Sequence, residues 1–273
     1  MTLFAAFILA VFACLPDSLY EQSLSRLLEQ EFAEEDTAYL LLDVRTGRIT
    51  AARWDAPEKA IPLGSLVKPF VALSYGATHG FQYPAYGCAG AASGCWLDSG
   101  HGTVGIREAI AHSCNAYFRR LAANLRAGDL EVVMRRFGVQ APKEDVGVDT
   151  LIGMGAGWRI SPAALARAYC ELASRSLEPG TRELLSGMAL SALEGTGRKA
   201  GAALRGVSLL AKTGTAPCDH ARKKPGDGYA LVLFPAEQPQ LALLLQKHGS
   251  PGMEAAASAG RLLRLILKRN DSD

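Results

Sequence analysis

The sequence has neither a strong excess of one charge nor a patterned basic surface. Its formal net charge is +2, and Arg222-Lys223-Lys224 is its only compact basic run. We interpret that run as a solvated loop, and a charge this small argues against nucleic acid as a partner. Internal repeats and low-complexity linkers are also missing. The 273 residues, 49% of them apolar, suffice for one large domain or two modest ones.

Long apolar runs are scarce as well. The only one, residues 2–15, is shorter than the ~20 residues that span a bilayer. We interpret residues 1–15 as an export signal or short anchor. Three alternatives stay open: cleavage after Ala13, lipidation at Cys14, and a buried N-terminal helix. We therefore expect export to the cell envelope or periplasm, with anchoring at the N-terminus open. Such a compartment would permit disulfides among the six cysteines.

The order of predicted elements indicates an α+β fold in which residues 16–273 form a single domain. A mostly helical lobe, about residues 65–202, is inserted between an N-terminal hairpin and three late strands, so that strands from both ends form one antiparallel sheet of about five strands flanked by helices. A cleft between the two lobes is expected. Apolar periodicity predicts helices at 18–32, 106–125, 162–174 and 252–268, and strands at 37–44, 49–54, 207–216, 228–234 and 241–248.

The helical lobe begins with Gly64-Ser65-Leu66-Val67-Lys68-Pro69. Residues three apart share one helical face, so the hydroxyl of Ser65 and the amine of Lys68 can meet. Pro69 is tolerated in a first helical turn, which places Ser65 at or near a helix N-terminus, where N–H groups favour developing negative charge. This pattern suits a serine nucleophile with a lysine base. A capping serine beside a solvated lysine is the alternative.

Two further motifs follow in order, Ser113-Cys114-Asn115 and Lys212-Thr213-Gly214-Thr215. Together with Ser-x-x-Lys they form the signature of penicillin-binding proteins and serine β-lactamases. The chain resembles the transpeptidase domain of class B penicillin-binding proteins, most closely the rod-shape type, within the serine β-lactamase/D,D-peptidase superfamily. The glycines at 153, 155 and 157 follow no strand of a βαβ unit and do not indicate a dinucleotide loop.

The resemblance implies a function and the roles of eight residues. It implies a D,D-transpeptidase in which peptidoglycan stem peptides ending in D-Ala-D-Ala acylate Ser65, with β-lactams as covalent inhibitors and no cofactor required. Lys68 would accept the proton, its pKa lowered by burial and by the charge of Lys212. The oxyanion would lie between the N–H groups of Ser65 and Thr215. The catalytic set is Ser65, Lys68, Ser113, Asn115 and Lys212, and the substrate-binding set is Thr213, Gly214 and Thr215.

Other functions remain open from the sequence. A D,D-carboxypeptidase differs only in its acyl acceptor, which the motifs do not specify. A β-lactamase needs fast deacylation, and no Glu-x-x-Leu-Asn stretch lies between Asn115 and Lys212. A β-lactam sensor or scaffold is the non-enzyme alternative. Class B proteins carry a large N-terminal region, whereas 36 residues precede Thr37 here, so protein partners of that region are not implied.

Four residues close to the second motif suggest a structural metal. Cys88, Cys95, His101 and Cys114 lie in one stretch, and three thiolates with one imidazole form a closed tetrahedral zinc set. Some rod-type relatives are thought to hold a metal near the same triplet. Such an ion would fix the loop that presents Ser113 and Asn115. The alternative is a Cys88–Cys95 disulfide with Cys114 buried.

Overall fold

The computed structural model describes residues 19–142, 146–204, 207–218 and 226–270. The predicted export segment at 1–15 and the basic run at 222–224 lie outside these ranges. Within them, no helix combines the length and the apolar character needed to cross a membrane.

A five-stranded antiparallel sheet lies at the centre of the fold, with the strand order β2-β1-β9-β8-β7. It joins the N-terminal hairpin to the three late strands, as the sequence predicts. Because β7 is an edge strand of this sheet, one side of its backbone is available to the cleft. The strands are β1 (Thr37–Asp43), β2 (Ile49–Arg53), β3 (Ile61–Pro62), β4 (Tyr86–Cys88), β5 (Gly102–Val104), β6 (Arg159–Ile160), β7 (Leu210–Ala216), β8 (Asp227–Phe234) and β9 (Leu241–Lys247).

Side chains alternate between the two faces of this sheet because the side-chain period of a strand is two. On β8, Leu231 and Leu233 pack towards the helical lobe, whereas Val232 belongs to the core on the other face. Lys212 is paired with Leu231 across β7 and β8, so this lysine also faces the helical lobe. The register of the sheet therefore points a buried lysine at the cleft region.

Helices cover both faces of the sheet. The terminal helices α1 and α10 pack on one face, and most of the inserted lobe packs on the other. Two short ribbons, β3 with β6 and β4 with β5, lie within the lobe. The helices are α1 (Leu19–Glu31), α2 (Lys68–Thr78), α3 (Ile106–Ala111), α4 (Asn115–Ala122), α5 (Ala127–Arg136), α6 (Val148–Leu151), α7 (Pro162–Ser174), α8 (Thr181–Leu193), α9 (Arg198–Ala203) and α10 (Gly252–Asn270).

The structure corrects one sequence prediction: residues 106–125 do not form one helix. The chain leaves the helix after Ala111 and re-enters it at Asn115. Between them Ser113 has φ +52°, a left-handed conformation that is uncommon for a residue with a Cβ. Apolar periodicity continues through the break, because Ile110, Cys114 and Phe118 are all buried, so the pattern alone did not reveal it.

Candidate active site

The turn that carries Ser65 rests directly on β7. Gly64–Val67 form a 3₁₀ turn, and α2 continues from Lys68 with a proline in its first positions. Gly64 has φ +60°, and a Cβ there would lie 2.4 Å from the carbonyl oxygen of Thr215. Only glycine therefore allows this approach without displacing backbone. As a result the half-buried Ser65 sits beside the end of β7.

Lys68 is completely buried and its ammonium position is fixed by the second motif. Its Nζ donates to the carbonyl oxygen of Ser113 at 2.8 Å and to Oδ1 of Asn115 at 2.6 Å. A longer contact of 3.3 Å reaches the Ser113 hydroxyl. The backbone break before α4 makes this possible, because it directs both the carbonyl and the hydroxyl of Ser113 towards Lys68.

Lys212 approaches the same hydroxyl from the sheet. Its Nζ lies 2.9 Å from Oγ of Ser113 and donates to the carbonyl oxygen of Thr213 at 2.7 Å. Ser113 Oγ therefore lies between two buried lysines. In the described residues no hydrogen bond joins the Ser65 hydroxyl to Lys68, so the direct serine–lysine contact suggested by helical spacing is not made in this state.

Burial is the main influence on both lysines. Burial is the largest cause of the lowering of the Lys68 pKa to about 7; the charges of Cys114 and Cys95 act against it, and that of Arg119 acts with it. Burial, followed by the charge of Lys68, also holds the pKa of Lys212 well below its usual value. The resemblance implied that Lys212 helps to lower the pKa of Lys68. In the structure burial dominates and Arg119 is the cation that lowers it, whereas the charge of Lys68 acts on Lys212. Repulsion between the lysines keeps the pair from carrying two full charges near neutral pH.

A cleft of about 380 Å³ lies above these groups. Six of the eight predicted residues line it, and Lys68 and Lys212 lie beneath its floor, both fully buried. The structure thus brings all eight together. The lining residues are Ser65, Trp96, Ser113, Asn115, Gly153, Met154, Gly155, Thr196, Thr213, Gly214, Thr215, Pro251, Gly252 and Met253.

The four residues of the suggested metal site also converge. The side-chain ligand atoms of Cys88, Cys95, His101 and Cys114 all lie within 4.8 Å of one another. Nδ1 of His101 is 3.5 Å from the sulfur of Cys88 and 3.5 Å from that of Cys95, and the sulfurs of Cys95 and Cys114 are 3.8 Å apart. Zinc with ordinary bond lengths in a tetrahedron needs edges of about 3.5 Å for S–N and about 3.8 Å for S–S. The donor set therefore fits a zinc ion closely, and all three cysteines are free thiols.

The sequence model of the penicillin-binding protein transpeptidase domain matches residues 37–268. The chain belongs to the penicillin-binding protein transpeptidase family. The resemblance stated from the three motifs is thereby confirmed, and so is the α+β fold. A comparison with curated protein sequences finds no match.

Solved structures of this family share the fold of the chain. Penicillin-binding protein PBP2 of Pseudomonas aeruginosa, in complex with WCK 5153, superposes with a TM-score of 0.77 at 20% identity, over 90% of this chain and 74% of that one. The transpeptidase domain of Burkholderia pseudomallei penicillin-binding protein 3 gives 0.69 at 18% identity, over 91% and 92%. Penicillin-binding protein A of Mycobacterium tuberculosis, as a ceftriaxone acyl-enzyme complex, gives 0.69 at 18%, over 90% and 77%.

Several cleft residues of this penicillin-binding protein domain were missed by the sequence analysis. Thr196 accepts a 2.7 Å hydrogen bond from the Thr213 hydroxyl, although the segment Glu194-Gly195-Thr196-Gly197 stands out in the sequence just before β7. Trp96 is 45% exposed, and its indole N–H donates to the carbonyl oxygen of His112. The signal available in the sequence was a tryptophan directly after Cys95, one of the four suggested metal ligands.

Proposed function

We propose that this domain is a D,D-transpeptidase of peptidoglycan, with Ser65 as the nucleophile acylated by a stem peptide ending in D-Ala-D-Ala. The observation that carries the proposal is the position of the Ser113 hydroxyl between Lys68 and Lys212 at 3.3 and 2.9 Å, on the floor of the cleft that Ser65 lines. Three separate segments of sequence supply these groups. A solvated lysine or a capping serine would not require such convergence.

The acylation step uses these groups in a defined order. Ser65 Oγ attacks the carbonyl carbon of the penultimate D-Ala while its proton passes to neutral Lys68. Asn115 holds the Lys68 amine through its 2.6 Å contact. The Ser113 hydroxyl then passes a proton to the leaving nitrogen and is reprotonated from the lysine side, so that the terminal D-Ala departs as a neutral amine. The product is an ester on Ser65.

The edge of β7 supplies the binding groups. The backbone N–H groups of Ser65 and Thr215 receive the developing oxyanion, and losing one such donor typically costs ~2.7–4 kcal/mol of transition-state stabilisation. The hydroxyl oxygen of Thr215 accepts a 3.0 Å hydrogen bond from the N–H of Gly252. Its proton is therefore free to donate to the substrate carboxylate, next to the positive charge shared by the two lysines.

The lining of the cleft favours transfer of the acyl group to an amine over its hydrolysis by water. Among the described residues that line the cleft, none is a carboxylate that would activate water. Slow reaction of the acyl-enzyme with water suits capture by an amine from a second stem peptide. D,D-carboxypeptidase and β-lactamase activities remain the alternative enzyme functions, and a sensor or scaffold that binds β-lactams is the non-enzyme one.

The location and inhibitors proposed for the domain follow from its family. Peptidoglycan is crosslinked outside the cytoplasm, so we propose an exported protein, with residues 1–15 as the signal or anchor. A relative, penicillin-binding protein A of Mycobacterium tuberculosis, forms an acyl-enzyme with ceftriaxone. We propose that β-lactams likewise form an acyl-enzyme with Ser65, because they present a strained amide to the cleft that Ser65 lines.

Labelling with a fluorescent penicillin tests the proposal. We expect the wild-type protein to be labelled covalently at one site and Ser65→Ala to be unlabelled. Incubation with a D-Ala-D-Ala-terminated stem peptide and an amine acceptor should then give crosslinked product. Failure of the wild type to label would contradict an acylating site. Rapid hydrolysis of a chromogenic cephalosporin would favour a β-lactamase. Release of D-Ala without a crosslinked product would favour a carboxypeptidase. Labelling without either reaction would favour a sensor.

We further propose that Cys88, Cys95, His101 and Cys114 hold a structural zinc ion. All four donors are used, so the site has no open position for chemistry. Its effect would be positional: Cys114 immediately follows Ser113, and its fixed sulfur would hold the left-handed backbone of that residue. The ion would thus stabilise the geometry in which Ser113 contacts both lysines.

Metal analysis and thiol counting on the purified protein test this site. We expect the purified protein to contain one zinc ion bound by these four residues. The number of reactive thiols should rise when a chelator removes the metal. Cys95→Ser should lose that ion. A protein without zinc in which two of the three thiols are oxidised would contradict the proposal and favour the Cys88–Cys95 disulfide.

A further inference from the structure

Cys218, Asp227 and His248 form a second cluster, separate from the catalytic groups and from the four-residue cysteine site. They come from three segments: the chain after β7, the first residue of β8 and the chain after β9. Their ligand atoms all lie within 4.8 Å of one another. Nδ1 of His248 is 3.7 Å from the sulfur of Cys218 and 2.7 Å from Oδ1 of Asp227.

The geometry argues against a thiol activated by a histidine–aspartate pair. Such a relay needs the thiol on one ring nitrogen and the carboxylate on the other, so that a proton received on one side is balanced by a hydrogen bond on the opposite side. In this cluster the sulfur and the carboxylate both approach Nδ1 of His248. Three donor atoms that converge on one point are instead the arrangement that a metal ion requires.

We infer that Cys218, Asp227 and His248 bind a divalent transition-metal ion, with zinc as the best match to a thiolate, imidazole and carboxylate set. The S–N distance of 3.7 Å is close to the tetrahedral edge of about 3.5 Å. The N–O pair must open from hydrogen-bond length to about 3.4 Å as the ion takes the place of the shared proton. Binding releases the thiol proton to solvent, and the neutral imidazole carries its proton on Nε2 so that Nδ1 can coordinate the ion.

The surroundings of the cluster support an ion. Asp227 is only 1% exposed. Both of its carboxylate oxygens accept a hydrogen bond, one from Gln246 Nε2 at 2.8 Å and the other from the N–H of Gly249 at 3.1 Å, so their positions are fixed. Metal-binding carboxylates are commonly held by such additional donors. Cys218 and His248 are half-buried, and His248 lines a cleft of about 590 Å³. An ion therefore has a route from solvent to Asp227 and His248, which both line this cleft.

The position of this site connects it to β7. Cys218 lies three residues after Thr215. His248 and Gly249 begin the loop that ends at Gly252, whose N–H donates to the Thr215 hydroxyl. An ion bound here would join the segment that follows Thr215 to the loop that contacts the Thr215 hydroxyl.

Zinc binding by the full-length protein tests the inference. We expect Cys218→Ser and His248→Gln each to bind one zinc ion fewer than the wild type when the proteins are equilibrated with Zn²⁺ alone. His79→Gln, which changes an exposed histidine outside both clusters, should bind as many as the wild type. Because the result is a difference between variants, it does not depend on occupancy of the four-residue site or on the proposed enzyme activity.

Cobalt substitution gives a second readout. Thiolate-to-cobalt charge-transfer absorption should be weaker in Co²⁺-loaded Cys218→Ser than in the wild type, because one thiolate ligand is missing. Circular dichroism checks that each variant is folded; Cys218 is only half-buried and serine is similar in size, so its serine variant should fold. Equal zinc stoichiometry and equal cobalt spectra in the wild type and both variants would overturn the inference.

Discussion

At the scale of single residues, Ser113 determines how the candidate site is assembled. Its left-handed backbone, φ +52°, costs of order 1 kcal/mol or more for a residue with a Cβ. In return its carbonyl oxygen and its hydroxyl both face Lys68. Backbone strain of this size at a non-glycine residue is typical of functional sites. Here the strained conformation of Ser113 holds the buried amine of Lys68 towards the cleft.

The protonation of Lys68 predicts a pH dependence for acylation. The amine accepts the Ser65 proton only when neutral, and its pKa is lowered to about 7 by burial. Below that pH the neutral fraction falls about tenfold per pH unit, so we expect the second-order rate constant for penicillin acylation to rise with pH and level off above about 7. Stopped-flow or gel-based labelling between pH 5 and 9 measures it, with circular dichroism at each pH to check that the protein is folded.

Asn115→Asp is a direct check on that assignment. The amide oxygen lies 2.6 Å from Lys68 Nζ, so an aspartate would place a negative charge against the amine and raise its pKa. We expect the midpoint of the pH profile to move upwards by about one unit or more, with a slower reaction at pH 7. A profile with the same midpoint in both proteins would show that Lys68 is not the group being titrated.

At the scale of secondary-structure elements, Glu34 links α1 and β1 to β9 and α10. Its carboxylate accepts hydrogen bonds from Lys247 Nζ at 3.1 Å, Ser258 Oγ at 2.6 Å and Arg261 Nε at 2.6 Å. Burial alone would raise the pKa of Glu34, but these three contacts outweigh it and lower the pKa to about 2. Glu34 thus joins the N- and C-terminal segments of the domain.

We expect Glu34→Gln to lower the free energy of unfolding by about 1 kcal/mol at pH 7, because two of its three partners are charged and the carboxylate is only partly removed from solvent. A carboxylate with a lowered folded-state pKa contributes its stability above the unfolded-state pKa, near 4.5, and loses it as pH falls towards about 2. The difference between wild type and variant should therefore shrink below pH 4.5. Urea denaturation at several pH values measures it.

Glu35→Gln is the matched control, since Glu35 is the exposed neighbour of Glu34. We expect it to leave stability within ±0.5 kcal/mol of the wild type. A loss of equal size in both variants, or a loss from Glu34→Gln that stays constant down to pH 3, would mean that the contacts of Glu34 do not stabilise the fold.

The sequence predicted the elements well wherever apolar residues dominate. The strands β1, β8 and β9 are short, nearly continuous apolar runs that are buried on both faces, and α7 and α10 repeat apolar residues with the helical period. Burial therefore fixed the positions of these elements. The break at Ser113 was hidden because the residues on either side of it stay buried. Thr196 was missed because its role is a hydrogen bond to Thr213, and contacts between distant segments leave no periodic pattern in a sequence.

The convergence of the eight candidate site residues was predicted for a different reason. Three short motifs in order carried them, and chemistry constrains their residue types more tightly than packing does. The convergence of Ser113 with Lys68 and Lys212 depends on the register of β7 and on the turn before α4. Neither could be derived from propensity, since both result from tertiary packing of the lobe on the sheet.

At the scale of the whole domain, the two lobes meet where the turn that carries Ser65 packs against β7. Gly214 shows how close this approach is, because a Cβ there would lie 2.6 Å from the carbonyl oxygen of Leu63. Across the same contact, Gly64 faces the backbone of Thr215. The separation of the Ser65 and Thr215 N–H groups, which the proposed oxyanion site needs, is thus set by a contact between two backbones.

Gly64→Ala tests this account of the contact between the lobes. Its Cβ would lie 2.4 Å from the carbonyl oxygen of Thr215, so the turn must move away from β7. We expect acylation by penicillin to slow by about 100-fold or more, comparable to the loss of one oxyanion donor. The melting temperature should also fall, because the φ of +60° is unfavourable for alanine.

Gly80→Ala separates the two effects. Gly80 has φ +61°, nearly the same backbone conformation, but a Cβ there meets no atom within 4 Å. It should therefore lower the melting temperature through its backbone conformation while labelling at close to the wild-type rate. If Gly64→Ala labels as fast as Gly80→Ala, the close approach of the turn to β7 does not determine the geometry of the site. If only Gly64→Ala loses acylation, the backbone contact between the lobes positions the nucleophile.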